Sequence, residues 1–224
     1  MSRKLCLWIG LAVLGNVSVN GQSKLGKLSV AATLSPTYRH IAYRPQYLFP
    51  ESDGQIVEPV FVVGNRWTPG FTTGLTAHYE YAPGWSVVSG AWFQQTTLRQ
   101  TRPGNDGTTR IQNRIIRIPV VLNFQSSQKQ LSPYFSLGFF ADWPLMGRNI
   151  VTRTDQPTQR LRLQSDKGPY FHVMAGAGAI YRINKQYSVV VQPQYAYDLG
   201  RFGGYRTHNP AFGLTLLTQV LYTF

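Results

Sequence analysis

What most constrains this chain is a period of two in its apolar residues, recurring in eight separate stretches: 28–38, 71–82, 85–99, 110–124, 133–143, 169–183, 187–198 and 212–224. Successive side chains of a β-strand point to opposite faces, so such alternation specifies strands with one apolar and one small or polar face. In the first stretch Leu28, Val30, Ala32, Leu34 and Tyr38 alternate with Ser29, Ala31, Thr33, Ser35 and Thr37. In the last, Phe212, Leu214, Leu216, Val220, Tyr222 and Phe224 alternate with Gly213, Thr215, Gln219 and Thr223. Only 85–99 resists assignment, because Val87 and Phe93 oppose Val88 and Trp92. The pattern predicts an all-β fold, an eight-stranded antiparallel up-and-down barrel.

Alternation does not say which face meets water. A soluble barrel hides its apolar face inside, and a transmembrane barrel turns it outward. The connections favour the second. Along the chain they run long (39–70), short (Pro83–Gly84), medium (100–109), short (125–132), long (144–168), short (Asn184–Gln186) and medium (199–211). Short turns at one end and long loops at the other mark a transmembrane barrel with both termini at the short-turn, periplasmic end. The small face suits the narrow interior of an eight-stranded ring. Tyr38, Tyr81, Trp85, Phe124, Trp143, Tyr187, Tyr197 and Phe224 fall toward strand ends, where interfacial aromatic girdles belong. Residues 56–63 are apolar enough for a strand but contain Pro59, and read as an upward extension of the second strand or a short loop element.

Residues 1–21 predict a cleaved signal peptide: Arg3 and Lys4, an apolar run from Leu5 to Leu14, and a polar end at Val19-Asn20-Gly21. The apolar run falls short of the roughly 20 residues that span a bilayer. The expected mature domain is 22–224. The single cysteine, Cys6, lies in the leader, which excludes an intramolecular disulfide and any cysteine-based metal or redox site. The formal charge of +13 points to an anionic partner. For an exported barrel, nucleic acid is not that partner.

Several runs carry a family resemblance: Gly70-Phe71-Thr72-Thr73-Gly74-Leu75, Ile116 through Leu122, Ser132 through Gly138, Gly176-Ala177-Gly178 and the terminal Leu221-Tyr222-Thr223-Phe224. In this order the chain resembles the small outer-membrane β-barrel domain family, the PorT-like proteins, and more loosely the OmpA and OmpX type of eight-stranded barrel. The resemblance implies the outer membrane of a Gram-negative bacterium and implies no common reaction. Phe224, with Tyr222 and Val220 on one face, also resembles the signal by which the outer-membrane insertion machinery accepts its clients.

Three groups of residues are candidates for function. Glu80, Arg117, Arg182, Asp142 and Asp198 share the inward parity, and charges at membrane depth must be paired or wetted, which predicts a lumen ion-pair network with Glu80 and Arg182 meeting near the periplasmic end. Arg39, Arg66, Arg99, Arg110, Arg148 and Arg201 lie toward the outer rim and loops, where the anion at hand is the phosphate of lipopolysaccharide. Val220, Tyr222 and Phe224 form the insertion signal. His78 and His172 point inward while His40 and His208 belong to outer loops, so no metal or cofactor is expected. No serine sits in a nucleophile context, so no enzyme is expected. The predicted function is a structural or interaction role through Arg-rich extracellular loops, with the lumen plugged by side chains and an unknown protein partner at the loops. The alternatives are a narrow porin-like channel or an outer-membrane lipid-modifying enzyme.

Overall fold

The computed structural model describes residues 26–41, 46–48, 60–62, 66–102, 107–153, 156–163, 168–200 and 212–224. The expected leader, Arg201 and His208 lie outside the described residues. The strands are β1 (Lys27–Ile41), β2 (Gln46–Leu48), β3 (Val60–Val62), β4 (Arg66–Ala82), β5 (Trp85–Thr101), β6 (Thr108–Gln125), β7 (Leu131–Arg153), β8 (Gln156–Leu163), β9 (Tyr170–Arg182), β10 (Tyr187–Gly200) and β11 (Phe212–Thr223). Eight of them close a ring in the order β1, β4, β5, β6, β7, β9, β10, β11, with β11 returning to β1. Every pairing is antiparallel, with Val30 opposite Tyr222 where the ring closes.

Period two becomes inside against outside. Leu34, Leu75 and Leu137 are 69%, 62% and 67% exposed on the outer face. Ser29, Thr33, Ser35, Thr37, Thr72, Thr76, Gln192, Gln194 and Gln219 are buried within the ring. A wall that exposes leucine all round and buries glutamine is stable only with hydrocarbon outside. The chain is a transmembrane β-barrel. Aromatic contacts mark both rims: Trp85 with Phe124 and Tyr187 with Tyr222 at the short-turn end, and Trp67 and Tyr195 with Phe212 at the other.

Inward glycines let the strands of this narrow ring approach closely. A Cβ on Gly138 would strike the Val120 carbonyl, and one on Gly178 would strike that of Val191. Both contacts are with neighbouring-strand backbone, which has no side-chain rotamer through which to give way.

Three features depart from the sequence pattern. In β5 the even residues face inward, so Val88 and Trp92 are buried while Val87 faces out. β7 continues past Trp143 to Arg153, because one extra residue between the pairs Arg114–Leu145 and Gln112–Arg148 reverses its parity. Inward positions are even up to Asp142 and odd from Gly147, and the chain then returns as β8, pairing Gly147 with Leu163. Above Asp142, β8 therefore takes the place beside β7 that β9 holds below it. Within residues 56–63, Val60–Val62 pair with Gln46–Leu48 as a separate two-stranded sheet, making them a loop element and not an extension of β4.

Candidate functional site

The lumen is layered. Val88, Trp92, Val121, Phe140, Met174 and Leu217 form one buried cluster, drawn from β5, β6, β7, β9 and β11. Ala31, Tyr134, Ile180, Val190 and Leu221 form a second. The ring places β11 opposite β6, so a cluster that holds Leu217 together with Trp92 and Val121 spans the interior. Polar belts surround these layers: Gln219 Nε2 donates to Thr33 Oγ1 at 2.9 Å, and Ser136 Oγ lies 2.6 Å from Asn123 Oδ1 and 2.9 Å from Gln192 Oε1.

Directly above the first cluster lies a chain of charges. Arg117 grips Asp142 with two hydrogen bonds, Nε to Oδ1 and Nη2 to Oδ2, both 2.7 Å. The two residues are cross-strand partners in β6 and β7, which fixes the planar fork on the carboxylate. The guanidinium carbon also sits 4.4 Å above the Phe140 ring, tying the charged layer to the apolar one. His172 Nε2 lies 2.8 Å from Asp142 Oδ2, out of line for a hydrogen bond, and its Nδ1 lies 3.7 Å from Asp198 Oδ1. Asp198 is in turn 3.6 Å from Arg39 Nη2. Asp142 and His172 are 2% and 3% exposed, so the inner end of this chain is dry.

Of the five residues expected to form one lumen network, Arg117, Asp142 and Asp198 therefore lie together, with Asp198 joined through His172. Glu80 and Arg182 do not meet each other or this group. Glu80 Oε1 accepts from the Gly84 backbone N–H at 3.3 Å, and Arg182 Nη1 donates to the Lys129 carbonyl at 2.9 Å. The reason is placement: β4 and β9 stand opposite in the ring, and each charge finds turn backbone beside it before it can reach across. His172 and Arg39 are the members that the network reading left out. Arg39 is also corrected as an outer phosphate contact, since it is odd-numbered on β1, like Thr37, and turns into the lumen mouth. Parity alone would have found it. His40, expected in a loop, lies among the last residues of β1 and stacks on Phe212 with ring centroids 4.8 Å apart.

The second site is the outer face of the β5–β8 extension. Arg99 pairs with Arg110, Arg110 with Ile150 and Ile150 with Arg160, giving one row across four strands. The adjacent row runs Thr97, Gln112, Arg148 and Arg162. Arg99, Arg148, Arg160 and Arg162 are exposed and Arg110 half-buried. Strands lie about 4.8 Å apart, so Arg99 faces Arg110, and Arg148 faces Arg162, at like-charge distance. No acidic residue shares this outward face among the described residues. Arg66 stands nearby at the start of β4 and lines a cleft with Arg99 and Arg110. Arg160 and Arg162 belong to the same rim cations, and β8, a strand the sequence pattern does not predict, is what places them on this face.

At the other rim Phe224 is 75% exposed, its backbone N–H donates to the Leu28 carbonyl at 3.1 Å, and its ring meets that of Tyr222 edge-on at 5.1 Å. Val220 lies outward on the same strand and is also exposed.

No protein-family model matches the sequence, and no curated protein matches it. Among solved structures, the chain is similar to Neisserial surface protein A, at 12% identity over 92% of this chain and 100% of that one, with a TM-score of 0.46. It is similar to Ail, the attachment invasion locus protein of Yersinia pestis, solved in complex with the heparin analogue sucrose octasulfate, at 14% identity over 89% and 99% and a TM-score of 0.43. The outer membrane protein OprG from Pseudomonas aeruginosa follows at 14% identity over 88% and 95%, with a TM-score of 0.41. The barrel assignment above stands on strand order and on which residues face out.

Proposed function

We propose that the protein is a structural and interaction barrel of the Gram-negative outer membrane, inserted after loss of residues 1–21, whose rim arginines dock the phosphates of the surrounding lipopolysaccharide. The like-charged rows on the β5–β8 extension carry this reading. Directly opposed arginines destabilise a sheet unless an anion lies between them, and a guanidinium binds phosphate through two parallel hydrogen bonds. Arg66, Arg99, Arg110 and Arg148 are the expected contacts that fit, with Arg160 and Arg162 added; Arg201 lies outside the described residues. Replacing Arg148, Arg160 and Arg162 together by Gln is expected to lower copurification of phosphorylated glycolipid severalfold at low salt, with the loss shrinking as salt rises. The same variant should unfold no more easily than the parent, since it loses a repulsion. Equal glycolipid retention by parent and variant would overturn the reading.

The lumen is read as closed, because two apolar layers and the Arg117–Asp142 pair lie in series along it. The charged chain is read as structural and not catalytic, because His172 lies between Asp142 and Asp198 while Arg117 and Arg39 neutralise those carboxylates from either side. The terminal Phe224, Tyr222 and Val220 are proposed as the contact with the insertion machinery, because they stand outward on the strand that closes the ring. Phe224→Ser should reduce the amount inserted in cells several times over. Its unfolding midpoint after refolding in detergent should move little, because the Phe224 side chain is largely exposed, with its ring edge-on to Tyr222. Equal reduction of both would make Phe224 an ordinary girdle residue.

A further inference from the structure

We propose that a cleft in the outer rim between β4 and β5 binds an acidic sugar, a pyranose ring carrying a phosphate or carboxylate. This goes one step beyond the phosphate-docking face and rests on the same placement of the rim. The ladder between β4 and β5 stops at Gly70 opposite Thr96. Both strands nevertheless continue, β4 to Arg66 against β1 and β5 to Thr101 against β6. Pro69 follows this last pair along the ladder and has no N–H with which to extend it. The wall therefore parts, leaving a cleft of about 870 Å³, within the size range of small-ligand sites.

Its lining has the three chemistries that an acidic sugar needs together. Trp67 is 48% exposed and is held by edge contacts with His40 at 5.2 Å and Phe212 at 5.3 Å, so its indole is a fixed platform for the C–H face of a ring. Thr97 and Gln112, cross-strand partners on the floor, offer a hydroxyl and an amide to sugar hydroxyls. Arg66, Arg99 and Arg110 supply the positive charge, and among the described residues no carboxylate lines the cleft. A bare phosphate would use the arginines and leave Trp67 idle. An acyl chain would need a continuous apolar bed, whereas here Thr97, Gln112 and the arginines interrupt the apolar patches of Pro69 and Leu98. Height along the wall agrees: Arg114 Nε donates to Gln95 Oε1 at 2.9 Å at the foot of the cleft, and the Phe71–Phe93 aromatic contact lies one step lower. The cleft thus opens sideways at the level of the outer aromatic rim, to which Trp67 itself belongs.

The test uses the full barrel in phosphatidylcholine nanodiscs with glucosamine 6-phosphate as probe. The indole N–H resonance of Trp67 is expected to shift saturably, and inorganic phosphate or glucosamine alone should bind at least about tenfold more weakly. By calorimetry Trp67→Ala and Arg99→Gln should each lower affinity by about tenfold or more, while Lys185→Gln, an exposed cation in a turn at the opposite rim, should not. Inorganic phosphate binding as tightly as the sugar phosphate would overturn the proposal, and so would an unchanged Trp67→Ala. In nanodiscs that also contain phosphorylated glycolipid, loss of the free-probe response identifies a lipid headgroup as the occupant. A retained response identifies a soluble saccharide, and either supports the class. A cleft that responds while the Arg148, Arg160 and Arg162 variant keeps its glycolipid overturns the docking face alone; the opposite pair of results overturns the cleft alone.

Discussion

Asp142→Ala should lower the unfolding free energy of the barrel by about 3–5 kcal/mol, the cost of leaving one partner of a buried ion pair without the other. Asp142 accepts both arms of Arg117 and also faces His172, so its loss strands a guanidinium that the ring holds almost entirely away from water. Arg117 has no easy escape, because its carbon packs on Phe140 beneath it and its backbone is fixed between β5 and β7. The measurement is the urea midpoint of the folded band on unboiled detergent gels, converted through the slope. Combining Arg117→Met with Asp142→Leu should recover most of the loss, since apolar residues of similar volume commonly replace a buried pair at little cost. Glu80→Ala is the internal comparison. Glu80 is half-exposed and its carboxylate accepts from a turn N–H at 3.3 Å, so its loss should cost no more than about 0.5 kcal/mol. Equal effects of Asp142→Ala and Glu80→Ala would mean that water reaches the charged layer.

The contrast between those two carboxylates shows how far the sequence could be read. Both have inward parity, and parity is legible because a strand repeats every two residues. Which inward charges meet depends on ring position, and that is set by pairing between strands far apart in sequence. Arg117 and Asp142 meet because β6 and β7 are neighbours, while Glu80 and Arg182 face each other across the ring. The eight spanning strands were legible for the same local reason. Only the faces of β5 were not, because Val88 and Trp92 help to make the lumen apolar at the level where Val87 and Phe93 meet lipid on the other side. β8 escaped notice because one extra residue near Pro144–Gly147 reverses the parity of β7, so its outer part reads as a loop. Arg39 was grouped with the rim cations by its place at a strand end, although its odd number already put it with Thr37. Position along a strand tells height in the membrane, and parity tells the side. Only both together place a charge.

The apolar layers make the second large prediction, that the lumen conducts nothing steadily. An ion moving through would have to shed water beside Arg117 and Asp142, pass Trp92, Phe140, Met174 and Leu217, and then pass Tyr134, Ile180, Val190 and Leu221. In a ring of eight strands, side chains leave little interior space for water, and a charge moved into such a layer pays a desolvation cost of several kcal/mol. Planar bilayers holding the parent protein should therefore show no stable open level. Thiol labelling checks the same point without removing the plug, because the only cysteine is Cys6, within the expected leader. Leu217→Cys places a thiol in the upper layer at 4% exposure, while Arg39→Cys places one at the lumen mouth. A charged thiol reagent should modify position 39 at least about a hundredfold faster than position 217, because reaction requires an accessible thiolate, which an apolar site disfavours. Comparable rates at both positions, or a steady conductance in the parent, would open the lumen and favour the channel. Slow labelling at 217 with fast labelling at 39 would leave the rim, and not the pore, as the working surface.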